Sequence, residues 1–559
     1  MHARKWGVRP GLVLSLALLA AAAGLEVAAC SATSDNTLGD DDDVTTNTNT
    51  GGGIDFDGGQ GGGGLTGDPQ TCEDAAAAKT YIGCDFWPTV TANNVWSIFD
   101  YAVVVANAGQ NVVDATVTRG GAPVGSAQIQ PNALATIYLP WVPELKGPDA
   151  DSCGSATPLT ATVRANGGAY HLTSTYPVTV YQFNALEYVG QGGPPGKSWA
   201  SCPGNSVCPY YLEAIGCYSF SNDASLLLPG TALTGNARVT GFPGWASANI
   251  GSYITVTGVQ DGTNVTLHLS PTASVVAGGG LGAAGPGGTS AFSLNAGDVM
   301  EVLGPPTGDF SGTWVQADKP VQVISGMPCI DIPDGYQACD HIEESVFPAE
   351  TLGQHYLVVR PAGPNNDTPG HVVRLFGNVD GTTLTYPGGA PPGAPTSINA
   401  GQVVDLSPGS FVTQDFEVQG SAAFAVGTFQ PGADIVDPNT PAPDGKGDPA
   451  QSLVTAVEQY RLKYVFLAPM DYDVNFVDIT LPAGTSVFID GAPMATPATP
   501  VGGSGYGVAR VPLGPGQAGA HVLEASAPVG IQVEGYGAYT SYYYPGGLDL
   551  KAIAPPPIR

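Results

Sequence analysis

Residues Gly251 to Met327 run GSYITVTGV (251–259), QDGTNVTLHL (260–269), a glycine-rich connection, FSLNAGDVMEVLG (292–304) and WVQADKPVQVISGM (314–327). Each apolar run is short, rich in Val, Ile and Thr, and closed by Gly, Pro, Asn or Asp. That composition belongs to half-buried antiparallel strands and the turns between them. The same order of parts recurs along the chain, and a repeat settles architecture before any single motif does.

A leading strand is read at Tyr101 (YAVVVANAG), Tyr253 (YITVTGV), His371 (HVVRLFGNV) and Asn475 (NFVDITLP). A second follows at Asp114, Asp261, Asp380 and Ala483, and a third in PNALATIYL, NAGDVMEVL, NAGQVVDLS and AGAHVLEAS. The last is YPVTVYQFN at Tyr176, KPVQVISGM at Lys319, SAAFAVGTFQ at Ser421 and APVGIQVEGY at Ala527. Asp-Gly-Thr at 261 and 380 supplies turn chemistry, with Asp bonding its own backbone and Gly taking a positive φ. Further apolar pairs precede the later leading strands, and Val454 to Tyr464 reads as a short helix. The repeat is about a hundred residues long, with an insertion after the first copy. The fold class expected is all-β: tandem antiparallel β modules, with approximate units 72–190, 218–328, 340–430 and 450–545, in a row of sandwiches or a propeller-like ring.

Composition narrows the function. Only 12% of residues are charged against 43% hydrophobic, and Gly (78) and Pro (49) lie between periodic runs, which means turns rather than disorder. The formal net charge of −30 repels phosphate, so nucleic acid is excluded as a partner. Residues 1–29 read as a signal peptide: Arg4, Lys5 and Arg9 precede an apolar run too short for a stable span. Val27-Ala28-Ala29-Cys30 resembles a bacterial lipobox, which makes Cys30 the expected lipidation site and its lipid the sole membrane contact. Val27 and Glu26 depart from that pattern, and cleavage after Ala23 is the plainer alternative. Residues 30–71, with Asp40 to Asp43 and two glycine runs, read as a tether without apolar period, and 72–559 as the folded body.

Setting Cys30 aside leaves an even set of cysteines, as disulfides in an exported chain require. Cys72/Cys84, Cys202/Cys208 and Cys329/Cys339 are close enough to close small loops, which leaves Cys153 with Cys217, although spacing does not fix connectivity. Zinc ligand spacing is absent.

The stretches YIGCDFWPT, FDYAVVVANAG, KPVQVISG, AAFAVGTFQ and TSYYYPGGLDLKAI resemble the N-terminal domain family of IgGFc-binding proteins, over about Cys72 to Ile558. Bacterial members are similar in having a lipoprotein leader, a Gly/Asp-rich tether and then the body. The resemblance implies a secreted binding or adhesive module and carries no set of ligand residues.

Catalytic patterns are scarce. The histidines after the leader are scattered, without H-E-x-x-H or G-x-S-x-G. His341-Ile342-Glu343-Glu344 is the densest polar cluster and reads as a disulfide-pinned surface loop, with a metal or acid–base site as the alternative. Asp331, Asp334 and Asp340, and then Asp434, Asp437, Asp444 and Asp448, follow a last strand in two units. Solvated turns explain them, and calcium is the alternative cofactor because it takes oxygen ligands from such loops. Tyr536, Tyr539, Tyr542 to Tyr544, Trp87, Trp96, Trp199 and Trp245 suit core packing, with an exposed binding platform as the second reading. The function expected is a non-enzymatic lipoprotein of the bacterial cell envelope, on the outer membrane and surface-exposed. It would recognise an extracellular protein or glycan through loops on the β scaffold. A secreted hydrolase or carbohydrate-active enzyme, or a purely structural envelope or matrix protein, are the alternatives.

Overall fold

The computed structural model describes residues 68–557 except 156, 337, 442, 443, 517 and 518; the leader, Cys30 and nearly all of the tether lie outside the described residues. Strand takes 42% and helix 6%, so the chain is all-β as its periodicity indicates. The third repeat shows the module plainly. Ser397–Ile398, Thr382–Thr385, Phe416–Gly420 and His355–Val358 form one sheet, and Val403–Asp405, Val372–Gly377, Phe424–Gln430 and Ala450–Leu453 form the other.

The second module repeats this order. Thr289–Leu294, Thr263–His268, Trp314–Ala317 and Asn236–Arg238 face Val299–Leu303, Tyr253–Gly258, Val321–Ile330 and Asp340–Ser345. Modules one and four differ in one respect. Their last two strands are a single long strand, His171–Phe183 and Ala520–Gly537, whose two halves pair in different sheets. AGAHVLEAS therefore opens that long strand, and the third part of module four is Tyr506–Leu513 instead.

Burial explains why these sandwiches do not hang as beads. Thr263–His268 alternates buried and more exposed positions, as a strand with one wet face does. Tyr101–Asn107, Tyr253–Gly258 and Phe424–Gln430 are buried along their whole length. Their second face must be covered by protein, and neighbouring modules cover it. The four modules accordingly close into a four-bladed, propeller-like ring whose blades are sandwiches.

The first member of each apolar pair closes the preceding module, by pairing with its last strand, and the second opens the next. Strand pairing thus divides the body after Leu227, Ser345 and Leu453. These closing strands, Ala224–Leu227, Asp340–Ser345, Ala450–Leu453 and Thr540–Pro545, pack side by side in cyclic order around the ring axis. Val454 to Tyr464 is a 3-10 turn at Val457–Gln459 running into strand Arg461–Leu467, not a helix.

The repeated turn also bonds differently from its local reading. Gly262 and Gly381 take φ of 63° and 66°, as the turn requires. Asp261 and Asp380 do not bond their own turn; they accept the N–H of Ala296 (3.1 Å) and Ala400 (3.0 Å). In return Asn295 and Asn399 accept the N–H of Gly262 (3.1 Å) and Gly381 (2.9 Å). Each Asp-Gly-Thr turn is thereby tied to the Asn-Ala-Gly turn ahead of the third strand.

All eight cysteines of the body are paired. Cys72–Cys84 and Cys329–Cys339 form as their spacing suggests, but the other two bridges are Cys153–Cys208 and Cys202–Cys217. The short Cys202/Cys208 loop fails because the backbone turns twice within it. Gly216 donates to the Gly204 carbonyl (2.9 Å), which sets Cys202 beside Cys217, and a hairpin closed by Cys208 N–H and Glu213 C=O (2.8 Å) presents Cys208 to Cys153.

Candidate functional site

The axis and the insertion are the two regions where the chain departs from plain sandwich packing. On the axis, His341 and its neighbours are not a surface loop: Asp340–Ser345 is buried at every position. The pairing of that segment with Val321–Ile330 carries it into the centre of the ring. Beside it, Asp223 is 0% exposed. Its carboxylate accepts the N–H of Ala224 (2.9 Å), Tyr543 (3.2 Å), Glu343 (3.1 Å) and Gln451 (3.0 Å). One side chain of module one thus holds the axial strands of modules two, three and four.

Glu343 accepts in turn from Thr91 (2.8 Å), Ser225 (3.1 Å), Gln182 (3.1 Å) and Asn184 (3.2 Å). Thr91 lies in the buried segment 87–94, which continues from YIGCDFWPT and threads between modules one and two. Within it the Ala92 N–H meets Glu301 (2.8 Å), whose carboxyl burial pushes up to about 8. In module four Asp478 and Glu534 both accept the Ala362 N–H (3.1 Å each). Burial pushes Asp478 up to about 7 and Glu534 well above the usual carboxylate range.

Raised carboxyls mark many catalytic sites, but these face no cleft. Among the described residues no group of three or more His, Cys, Asp or Glu side chains is placed to hold a metal ion. An open depression of about 550 Å³ at the seam of modules one and four has Asp490 and Glu524 in its lining. Both are engaged there, Asp490 with His521 (2.8 Å) and Val522 N–H (2.8 Å), Glu524 with Lys463 (3.7 Å).

The acidic loop residues separate. Asp334 accepts from Trp245 Nε1 (2.8 Å) and Ser247 Oγ (2.6 Å), and Asp437 from Asn365 (2.8 Å), Thr440 (2.8 Å) and Lys446 N–H (3.1 Å). These are turn anchors, and Asp444 is exposed. Asp340 and Asp448 are instead buried at the axis, and the charges of Asp331 and Asp434 act on Asp448 there.

The aromatic residues are chiefly core. Tyr536, Tyr542, Tyr543 and Tyr544 are 0% exposed, Trp87 and Trp96 are buried, and Tyr539, Trp199 and Trp245 are half-buried. The exposed apolar residues lie elsewhere. In the insertion Val207, Tyr210, Tyr211 and Leu212 are 63%, 83%, 52% and 82% exposed on one hairpin tip. Leu212 stands at φ 63°, an uncommon conformation for a bulky side chain. The Tyr210 and Tyr211 rings meet edge to face at 5.0 Å. Cys208, fully buried at the base, is bonded to Cys153, and Cys202–Cys217 holds the flanks. The signal in sequence is Tyr-Tyr-Leu directly after Cys-Pro, an unbroken apolar triplet outside any strand alternation.

No curated protein and no solved structure matches the chain. A family model described as IgGFc binding protein matches residues 223–535. The matched span opens on Asp223 and takes in modules two, three and most of four, leaving the cysteine-rich tip outside it. Because the match covers more than half of the 559 residues, and its description is that of a binding family rather than an enzyme family, the chain belongs to the IgGFc-binding protein family.

Proposed function

We propose that the chain is a non-enzymatic surface protein that binds an extracellular protein through the disulfide-held tip at 207–212. The carrying observation is the exposure of Tyr210, Tyr211 and Leu212 together on a stapled hairpin, in a body that buries nearly every other large apolar residue. Burying such a side chain contributes about 1.5–3 kcal/mol, and Tyr is enriched among the residues that dominate protein interfaces. The two rings stand at 89° to each other, so they make a knob for an apolar pocket and not the flat platform a sugar ring stacks on. Attachment through acylated Cys30 at the bacterial outer membrane is supported by the leader pattern and by the pairing of every other cysteine. Among the described residues no helix is long and apolar enough to cross a membrane.

The test is a protein and glycan array, with an immunoglobulin Fc fragment included because of the family's description, probed with the chain and with Tyr210→Ser/Tyr211→Ser/Leu212→Ser. Protein signals that the triple variant loses at unchanged melting temperature support the reading. Signals confined to glycans, or undiminished in the variant, overturn it.

A further inference from the structure

Asp448 lies two residues before the third axial strand and is 0% exposed. Its N–H donates to Ser541 Oγ (2.9 Å), yet neither carboxylate oxygen has a hydrogen-bond partner. The Ala338 N–H acts on the carboxyl from outside bonding geometry. Asp340, at the head of the second axial strand, is also 0% exposed, and its Oδ2 accepts from Thr540 Oγ1 (3.1 Å) and Ser541 N–H (3.4 Å). Ser541 therefore touches both residues at one end of the axis, the Asp448 backbone through its Oγ and the Asp340 carboxyl through its N–H. The charges acting on Asp448 are those of Asp340, Asp331 and Asp434, all negative, while Lys446 turns away to Asp473 (3.4 Å). An ionised carboxylate buried without donor or counter-charge costs several kcal/mol.

We propose that Asp448 and Asp340 bind a hard divalent cation of the calcium class at this end of the ring axis, between modules two and three. Asp331, half-buried in the loop that the Cys329–Cys339 bridge closes, and Asp434, exposed on the short helix Ala433–Val436, form the rim through which the ion enters. Among the described residues three carboxylates do not close on one point, so hydroxyl, backbone and water oxygens complete the shell. Calcium accepts such mixed sets, with about six to eight oxygen ligands in flexible geometry. The site differs from the two separate loops read from sequence, because it draws one buried carboxylate from each. It stands independently of the binding tip.

The experiment is calorimetric titration and thermal melting of the EDTA-treated chain with CaCl2, and with MgCl2 in parallel. The expected result is a calcium-dependent rise in melting temperature that Asp448→Asn abolishes, with binding weakened at least tenfold. The same variant melts higher than the parent in EDTA, because the unpaired charge is gone. Asp334→Asn keeps the rise. Should Asp448→Asn not fold, Asp434→Asn at the rim weakens binding several-fold. Absence of any divalent-dependent rise in the parent chain, or a rise undiminished in these two variants, overturns the site.

Discussion

The axis and the tip of the insertion solve opposite problems with the same chain. Along the axis, polar groups are sealed inside and must find partners within the protein: Asp223 alone accepts backbone N–H groups from three other modules. At the tip, apolar groups are held outside, and two disulfides supply what packing does not. Three of the four axial strands fall in the span that matches the family, and the tip lies beyond it. A closed scaffold carrying a cluster of exposed apolar side chains on one stapled hairpin is an arrangement for binding.

Four substitutions or conditions separate the regions, in decreasing order of their effect on stability. Asp223→Ala strands three cross-module N–H donors in the core, and urea denaturation should show a loss of about 4 kcal/mol or more, or no folded protein. The buried carboxyls set a pH dependence. Glu301 and Asp478 have folded pKa values of about 8 and about 7, raised above those of the unfolded chain. Their contribution is complete below about pH 4 and fades as pH climbs through those values, because unfolding then releases their protons. The melting temperature should drop by several degrees between pH 6 and 9, and Glu301→Gln should flatten that slope. Gly262→Ala forces a Cβ into a turn at φ 63° and should cost about 1 kcal/mol by urea midpoint, whereas Gly109→Ala, outside the left-handed region, should cost less. Tyr210→Ser with Leu212→Ser should change stability by no more than about 0.5 kcal/mol, since those side chains support nothing beneath them.

The strands were legible because Val, Ile and Thr runs closed by Gly, Pro and Asn carry their own period, and the repeat multiplied that signal. Ring closure was harder to read. It depends on strands such as Ala224–Leu227 and Ala450–Leu453, four residues each, whose partners are distant in the chain. Asp223 and Glu343 look like ordinary polar residues until the axis brings four strands together, and Tyr542 to Tyr544 look like surface candidates until it covers them. The tip was missed for the converse reason: an apolar triplet in an insertion reads as a fragment of core, and only the folded chain leaves it exposed. Disulfide pairing failed at Cys202 and Cys208 because sequence distance says nothing about which way a turn faces.

Amide hydrogen exchange, followed segment by segment in the intact chain, measures the contrast directly. The axial segments 340–345, 450–453 and 540–545 should be the slowest to exchange, together and at the rate of global unfolding, while 207–213 exchanges fastest among the strand-bearing regions. Axial segments that exchange as quickly as the tip, or that open one module at a time, would contradict a ring locked at its centre.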